Sequence, residues 1–375
     1  MKLANTKNKR KRLLFVDDKV PCFDMAAGAK TSYLYLRLLA ELGVETTLLP
    51  VDFQRVEPYT SAIRKLGIKT LDGYWYWRVW KLWLLVNLHR FDYVFCNRPV
   101  PTQLLLDRVR RDDRVKIWYQ CHDLHFLRWR RSYSLDGLPE SLEKAEAFER
   151  VERRIFSKAD ILLTFSEVER QFLASEYPHK RVEMLPLFFY REQPCPQQNF
   201  MIRKGLLFVG GFNHTPNVDA VLWFVTEIFP VISARLPDVF FYVVGSNPPP
   251  QLLALHGERV RVLGFVDDQR LNSLYDEVRM VVVPLRFGAG VKGKVVEAIH
   301  KGVPLVSTSI GLEGIPGVGA CLAGVDTAGD FATRVATLYA DASALEQLSA
   351  AQCAYAVDHL SEAAAKAKLC DLLEL

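Results

Sequence analysis

An α/β architecture is predicted, on three observations. Short apolar runs alternate with helical stretches along most of the chain, the alternation breaks once at a polar, proline-bearing stretch, and a glycine-rich turn stands where a strand gives way to a helix. Strand and helix in turn imply parallel sheets, and the single break implies two of them: two Rossmann-like domains facing each other across a cleft, with ligands at the carboxyl ends of the strands. The 375 residues, 50% hydrophobic and 24% charged, suit about two domains and exclude a mainly disordered chain, a collagen-like repeat or a polytopic membrane protein. No repeat of 20–50 residues marks a solenoid.

In the first half, Leu13–Val16, Thr46–Leu49, Tyr93–Asn97, Val115–Cys121, Ile161–Phe165 and Val182–Pro186 read as strands. Thr31–Leu42, Pro101–Arg110 and Leu138–Ser157 read as helices between them. Ser166 and Glu169 have the spacing of a capping box, so a helix is expected directly after the strand ending near Phe165. From Leu187 to Asn199 the pattern stops, and Pro194, Pro196, Gln197 and Gln198 mark a linker, placed at 191–203 between domains at 1–190 and 204–357. The second series has strands at Gly205–Gly210, Val239–Gly245, Val260–Gly264, Met280–Leu285 and Pro304–Thr308, with helices at Asn217–Arg235 and Lys292–Lys301.

The basic residues from Lys2 to Arg12 precede only Leu13–Val16, too short an apolar core for a signal peptide, and the longest apolar runs fall short of the roughly 18 residues of a membrane span. A cytoplasmic location follows as the expectation. The seven cysteines (22, 96, 121, 195, 321, 353 and 370) form no Cys-x-x-Cys pair and suit a reducing compartment. Residues 1–200 carry 34 Lys and Arg against 25 Asp and Glu, whereas residues 201–375 carry 14 against 18. The basic half is consistent with an anionic acceptor, an anionic membrane surface or nucleic acid, and charge alone does not choose among them. Within it, Tyr74–Leu85 holds Trp75, Trp77, Trp80 and Trp83 beside Arg78 and Lys81, the mixture found at membrane–water interfaces. The helical spacing of Trp80, Trp83 and Leu84 favours instead an aromatic helix packed into the first-domain core.

The most informative stretch runs from Val283 to Ala298. A strand enters a turn containing Gly288, Gly290 and Gly293, and the turn opens a helix. Free backbone N–H groups, the positive end of the helix dipole and cationic Arg286, Lys292 and Lys294 would converge there on a diphosphate. Glu297, one helical turn beyond Gly293, would accept hydrogen bonds from ribose hydroxyls. Each residue alone has an ordinary structural use; their combination points to a site.

With these residues in view, the sequence resembles the retaining glycosyltransferases of family 4, which have the GT-B fold. In the second half the resemblance rests on Phe208–Asn217, Gly245-Ser-Asn-Pro, Gly264–Asp268, Pro284–Lys292, Glu297-Ala298 and Gly311-Leu-Glu-Gly314. In the first half it is looser, resting on Val16–Pro21 with Gly28-Ala29, Asn97-Arg-Pro99, His122–Arg128, Ala159-Asp160 and Ser166-Glu167. The resemblance implies transfer of a sugar from a nucleotide-diphosphate donor to an acceptor hydroxyl, with retention at the anomeric carbon, no cofactor and no metal. The chain contains no Asp-x-Asp triplet. The implied partners are the nucleotide sugar and a carbohydrate or lipid-linked acceptor, with peripheral contact between the basic half and the inner face of the cytoplasmic membrane, and without nucleic acid. Cell-surface polysaccharide or glycolipid assembly is the implied setting. A last helix crossing back onto the first domain is also implied, for which 358–375 is the candidate. Where the family often has a first glutamate, eight positions before Glu297, this chain has Ala289.

His122 follows a strand at its carboxyl end and matches the family's histidine beside the reacting sugar. Its expected role is to hold the donor sugar or stabilise charge at the anomeric carbon, against a helix-capping or buried role. Gly28 would face the diphosphate from the opposite domain, or simply make a turn before a helix. Gly211, Asn213, His214, Ala289 and Val291 are expected to line the donor side of the cleft, with Asn217 capping the following helix. Asp123, His125, Arg128 and Arg98 are expected on the acceptor side. A metal site from His122, Asp123 and His125 lacks a further ligand at suitable spacing. The alternatives are a non-catalytic nucleotide-sugar-binding homologue, made plausible by Ala289, and a nucleotide-sugar epimerase on the same fold. A nicotinamide dehydrogenase is disfavoured because Leu13–Val16 leads into Asp17-Asp18-Lys19 and not a glycine fingerprint.

Overall fold

A computed structural model describes residues 10–375 apart from 195 and 198. The basic residues before Arg10, Cys195 and Gln198, which entered the leader, cysteine and linker expectations, lie outside the described residues. The first domain contains β1 (Arg12–Asp17), α1 (Ala27–Glu41), β2 (Glu45–Pro50), α2 (Tyr59–Lys65), β3 (Lys69–Thr70), α3 (Tyr74–Asn87) and β4 (Tyr93–Asn97). It continues with α4 (Pro99–Val109), β5 (Lys116–Cys121), α5 (His125–Asp136), α6 (Pro139–Lys158), β6 (Ile161–Thr164), α7 (Glu167–Glu176) and β7 (Arg181–Met184). Its seven strands make one sheet in the order β3-β2-β1-β4-β5-β6-β7. The pairings are parallel, with Phe15 level with Leu48 on one side and Phe95 on the other. Parallel strands are covered on both faces, which is why they read as unbroken apolar runs.

The second domain contains β8 (Leu206–Val209), α8 (Thr215–Trp223), α9 (Phe229–Arg235), β9 (Phe241–Val244), α10 (Pro250–Leu253), β10 (Val260–Gly264), α11 (Asp268–Glu277), β11 (Met280–Val283) and α12 (Gly293–His300). After it come β12 (Leu305–Ser307), α13 (Ser309–Leu312), α14 (Ala328–Ala340), α15 (Ala342–His359) and α16 (Glu362–Leu373). Its five parallel strands take the order β10-β9-β8-β11-β12. The helix anticipated at 217–235 begins at Thr215 and is interrupted by a π-helical turn, Phe224–Ile228. Pro230 has no N–H to return to the preceding turn, and the widened turn accommodates the loss. Thr215–Arg235 has the length and apolar composition to cross a membrane, which the short apolar runs had not suggested. Here it packs in the second domain, Phe224 lying 4.5 Å from Phe241 and 6.2 Å from Phe331 between ring centroids.

Alternate residues of β1 face different cores, as the strand period requires. Leu13 and Phe15 belong to a continuous apolar core that runs through Phe188, Phe189 and Phe200 into the second domain. Leu14 and Val16 face a separate core completed by Trp80, Leu84, Leu105, Ile155 and Leu173 from α3, α4, α6 and α7. Only Trp80 and Leu84 of α3 are buried, so the core reading holds for one face of the aromatic helix and not the other. Helix α16 lies against the first domain: Tyr93 Oη donates to the Leu373 carbonyl at 3.1 Å, Arg181 pairs with Asp371 at 2.5 Å, and Arg37 pairs with Glu362.

Candidate active site

The site begins with the strands' carboxyl ends. Asp17 closes β1, wholly buried, accepting from Ser32 Oγ at 2.6 Å and lying 3.1 Å from the Arg98 guanidinium. Burial raises its carboxyl to about 6, with the Arg98 charge working against the rise. Arg98 follows β4 with φ +65, a backbone conformation uncommon outside glycine, and reaches Asp18 as well at 3.6 Å. Gly28, in the first turn of α1, lies beneath this guanidinium: a β-carbon there would stand 2.9 Å from Arg98 Nη2 and 3.3 Å from His122 Nδ1. The glycine permits a close approach of helix, arginine and histidine.

His122 follows β5. Its Nε2 is 3.3 Å from Asn97 Oδ1, and its ring stands edge-on to Phe165 with centroids 5.3 Å apart. Burial, reinforced by the Arg98 charge, holds the imidazole well below its ordinary pKa, so it is neutral at physiological pH. The next residues form a separate cluster. Asp123 pairs with Arg128 and lies 3.4 Å from His125 Nδ1, which is also 3.3 Å from Glu152 Oε1. Burial acts to raise Asp123, but Arg128 and the nearby histidines outweigh it and hold the carboxyl at about 2. Thus His125 is tied to carboxylates and packed on Phe148, whereas His122 abuts the glycine of α1.

Two buried glutamates hold this segment from behind. Glu152 accepts from the amides of His125 (3.0 Å) and Phe126 (3.1 Å), satisfying the free N–H groups that open α5. Glu169 accepts from the Leu124 amide at 3.0 Å and the Thr164 hydroxyl at 2.9 Å. Only half of the anticipated capping box forms: Ser166 Oγ accepts from the Glu169 amide at 3.3 Å, but the Glu169 carboxylate does not reach back to Ser166. Thr164 Oγ1 takes the Ser166 amide instead, at 3.1 Å, and frees Glu169 for the cleft segment.

On the facing domain, β11 leads through the glycine turn into α12. Lys292 is the residue before the helix, buried, with Nζ donating to the Gly290 carbonyl at 2.6 Å. Lys294 donates to Asn217 Oδ1 at 2.6 Å and sits 4.0 Å from the Phe208 ring centroid. Burial brings Lys292 down to about 8 and, together with the Lys292 charge, Lys294 down to about 7. Among the described residues, neither amine is ion-paired to a carboxylate. Asn217 does not cap its helix, which starts two residues earlier; its amide donates to the Gly211 carbonyl at 2.7 Å and so ties the Gly210-Gly211 turn to Lys294. Asn213 and His214 lie exposed on that turn, while Ala289 and Val291 are half-buried between the glycines and Lys292.

Arg286 departs from the expected convergence. Its guanidinium makes a two-pronged ion pair with Asp219 of α8, Nε to Oδ2 at 2.9 Å, and lies 5.6 Å from the Trp223 ring, partly exposed. Asp219 supplies a fixed counter-charge over α8, and Arg286 is not among the charges that shift either lysine. Glu297 lies on α12 as anticipated, but its Oε1 is occupied by Lys30 Nζ of α1 at 2.7 Å.

The domains meet closely around the glycine turn. A β-carbon on Gly290, whose φ is +68, would stand 2.9 Å from Asp123 Cβ and from the His122 carbonyl. Arg131 of α5 donates to the Gly288 carbonyl and to Glu313, both at 2.7 Å, and the Glu167 amide donates to the Gly314 carbonyl at 3.0 Å. Sequence reasoning assigned no role to Lys30, Arg131, Glu152 or Glu313. Lys30 directly follows the Gly28-Ala29 pair and Glu313 lies within Gly311–Gly314, both already singled out, whereas nothing local to Arg131 or Glu152 marks them. Among the described residues no group of three or more His, Cys, Asp or Glu side chains is arranged to hold a metal ion.

The paired parallel sheets, the facing carboxyl edges and the returning last helix are the GT-B fold of glycosyltransferases. Residues 203–341, containing the glycine turn and both lysines, match the family model described as glycosyl transferases group 1. Sucrose-phosphate synthase from Thermosynechococcus elongatus is similar over 97% of this chain and 98% of its own, with a TM-score of 0.73 at 15% identity. TarM of S. aureus, solved with UDP and α-GlcNAc-glycerol, gives 0.73 at 8% identity over 97% and 100%. HepE of Anabaena, solved with UDP and glucose, gives 0.67 at 13% identity over 97% and 100%. In sequence, an uncharacterized 44.6 kDa protein in the cps region of Klebsiella pneumoniae is 28% identical over 116 residues, 29% of this chain. The match spans 30% of that relative's length.

Proposed function

We propose that this protein transfers a sugar from a nucleotide-diphosphate sugar to an acceptor hydroxyl, with retention at the anomeric carbon and without a metal ion, in cell-surface polysaccharide or glycolipid assembly. The observation that carries the proposal is the pair Lys292 and Lys294: two buried amines at the start of α12, held by a carbonyl and an amide oxygen and lacking carboxylate partners among the described residues. Glu313 and Glu169 act on Lys292 only from beyond ion-pair distance, a desolvated cation without a close counter-ion is costly, and a diphosphate seated on the helix N-terminus supplies one. The same charges then stabilise the departing nucleotide, fixed in place before the reaction starts. Neutral His122, between Gly28 and the Gly290 turn, hydrogen-bonds the donor sugar instead of exchanging a proton with it. Glu297 receives the ribose once Lys30 gives it up. The UDP in the TarM and HepE structures supports a nucleotide-diphosphate donor, and the cps-region relative supports the setting.

Incubation with UDP-, GDP-, ADP- and TDP-sugars, with and without EDTA, tests the proposal, hydrolysis and transfer being followed by proton NMR at the anomeric position. One donor should turn over with retention and insensitivity to EDTA. Binding of a nucleotide sugar without turnover under any acceptor condition would leave the non-catalytic reading, and failure to bind any of the four would remove the donor site altogether.

A further inference from the structure

Two tyrosines, Tyr190 and Tyr275, bring buried hydroxyls to the surroundings of Glu297, and among the described residues neither hydroxyl has a hydrogen-bond partner. Tyr190 stands where the chain crosses between the domains: its amide donates to the Leu360 carbonyl at 2.9 Å and its carbonyl accepts from the Glu362 amide at 3.0 Å. Its ring lies flat on that of His300, centroids 3.5 Å apart and planes 4° from parallel. His300 is one turn beyond Glu297 on α12, so the stack anchors the phenol beside the helix that carries the carboxylate. Tyr275 comes from the last turn of α11, seven residues after Asp268 and on the same face, and both of these side chains feel the Glu297 charge. Burial raises both phenols well above the ordinary tyrosine range and the Glu297 charge adds to the rise, so both hydroxyls keep their protons and can donate. A buried donor left without an acceptor costs the fold free energy and calls for a use.

We propose that Tyr190 and Tyr275 are positioning residues for the ribose: when a nucleotide draws Glu297 off Lys30, the two phenols donate to the carboxylate and fix it toward the ribose hydroxyls. This rests on the ribose reading of Glu297 given above. In the empty protein Lys30 holds Oε1 at 2.7 Å and the phenols are idle. Once the amine leaves, a carboxylate whose side chain is only 16% exposed needs donors, and two neutral ones are at hand. A carboxylate offers about four acceptor positions, enough for two phenols and two ribose hydroxyls together. The idle hydroxyls are thus donors kept in place for the occupied site alone.

The test compares the full chain with Tyr190→Phe, Tyr275→Phe and the double variant, by calorimetry on UDP, GDP and ADP and on the 2′,3′-dideoxy form of each. Wild type should prefer the ribose form of the nucleotide it binds best by about tenfold or more. Each phenylalanine should cut that preference about threefold and the pair about tenfold, whereas the dideoxy form, which leaves Glu297 on Lys30, should not tell the variants apart. Without nucleotide the hydroxyls have no partner, so the melting temperature of the variants should hold or rise. In a Lys30→Met background the sign reverses: the freed carboxylate rests on the phenols, and the same substitutions should lower the melting temperature by about 1–3 °C. A full ribose preference in the double variant, or no melting loss in the Lys30→Met background, would overturn the positioning role while leaving Glu297 on the ribose. A wild type that binds ribose and dideoxy forms equally would remove the ribose reading itself, and the positioning role with it.

Discussion

Lys30 Nζ of the first domain lies 2.7 Å from Glu297 Oε1 of the second, so the carboxylate assigned to ribose is held by a lysine across the cleft. A nucleotide that uses Glu297 must first displace that amine. Lys30 is one-third exposed, which makes the pair a modest one, so Lys30→Met should tighten binding of the nucleoside diphosphate by about 2–5-fold. Calorimetry decides it: weaker binding in the variant would show that Lys30 touches the donor itself.

Lys292→Met and Lys294→Met should each lower diphosphate affinity by roughly 10–100-fold, the worth of a charge-assisted hydrogen bond. Arg286→Ala should change it by no more than about threefold, because its guanidinium is already committed to the partly exposed Asp219 pair.

The two amines also set a pH dependence. With Lys292 near 8 and Lys294 near 7 in the empty protein, a bound diphosphate favours their protonated forms, so binding near pH 8 takes up protons and affinity falls as pH rises. Calorimetry in buffers of different ionisation enthalpy measures the uptake, and a value of zero would contradict the assignment. For the empty fold the sign is opposite. From about pH 7 toward the unfolded value of 10.5 the unfolded chain binds more protons at these lysines, so they contribute rising stability.

His122→Ala should slow transfer far more than it weakens nucleotide binding, as expected of a contact strengthened in the transition state. His125→Ala should lower the melting temperature instead, since it removes the ring held between Asp123 and Glu152. Equal rate losses in the two variants would make both histidines structural.

Gly290→Ala places a β-carbon 2.9 Å from Asp123 and the His122 carbonyl in a backbone conformation that disfavours side chains. The domains would then be unable to meet as they do, and transfer should fall by about tenfold or more while each domain folds normally. Wild-type turnover in this variant would show that catalysis does not need the close approach.

The sheets were legible because parallel strands are buried on both faces and show as apolar runs; Leu13–Val16 and Met280–Leu285 needed nothing more. The two-residue β3 was not, being too short to carry a pattern. At the site, the glycine turn and Lys292 could be read locally, since dipole, amides and charge come from one stretch of chain. The Arg286 pairing could not, because Asp219 lies 67 residues away and nothing in either neighbourhood announces the other. The capping box was half legible for the same reason: the serine's role is local, but the carboxylate had a choice between Ser166 and Leu124 that only tertiary packing settles.

That carboxylate has a consequence for the reaction. Burial raises Glu169 to about 7, so mild acid protonates it while His122, held well below its ordinary pKa, is still neutral. On protonation the bond suspending the Leu124 amide drops from charge-assisted to ordinary strength, and the shelf under His122 slackens with no change in the imidazole itself. An acid limb near neutrality in the pH–rate profile would thus belong to the carboxyls behind the histidine, Glu169 under Leu124 and Asp17 beside Arg98, and the histidine in the cleft would report its neighbours' titration as if it were its own.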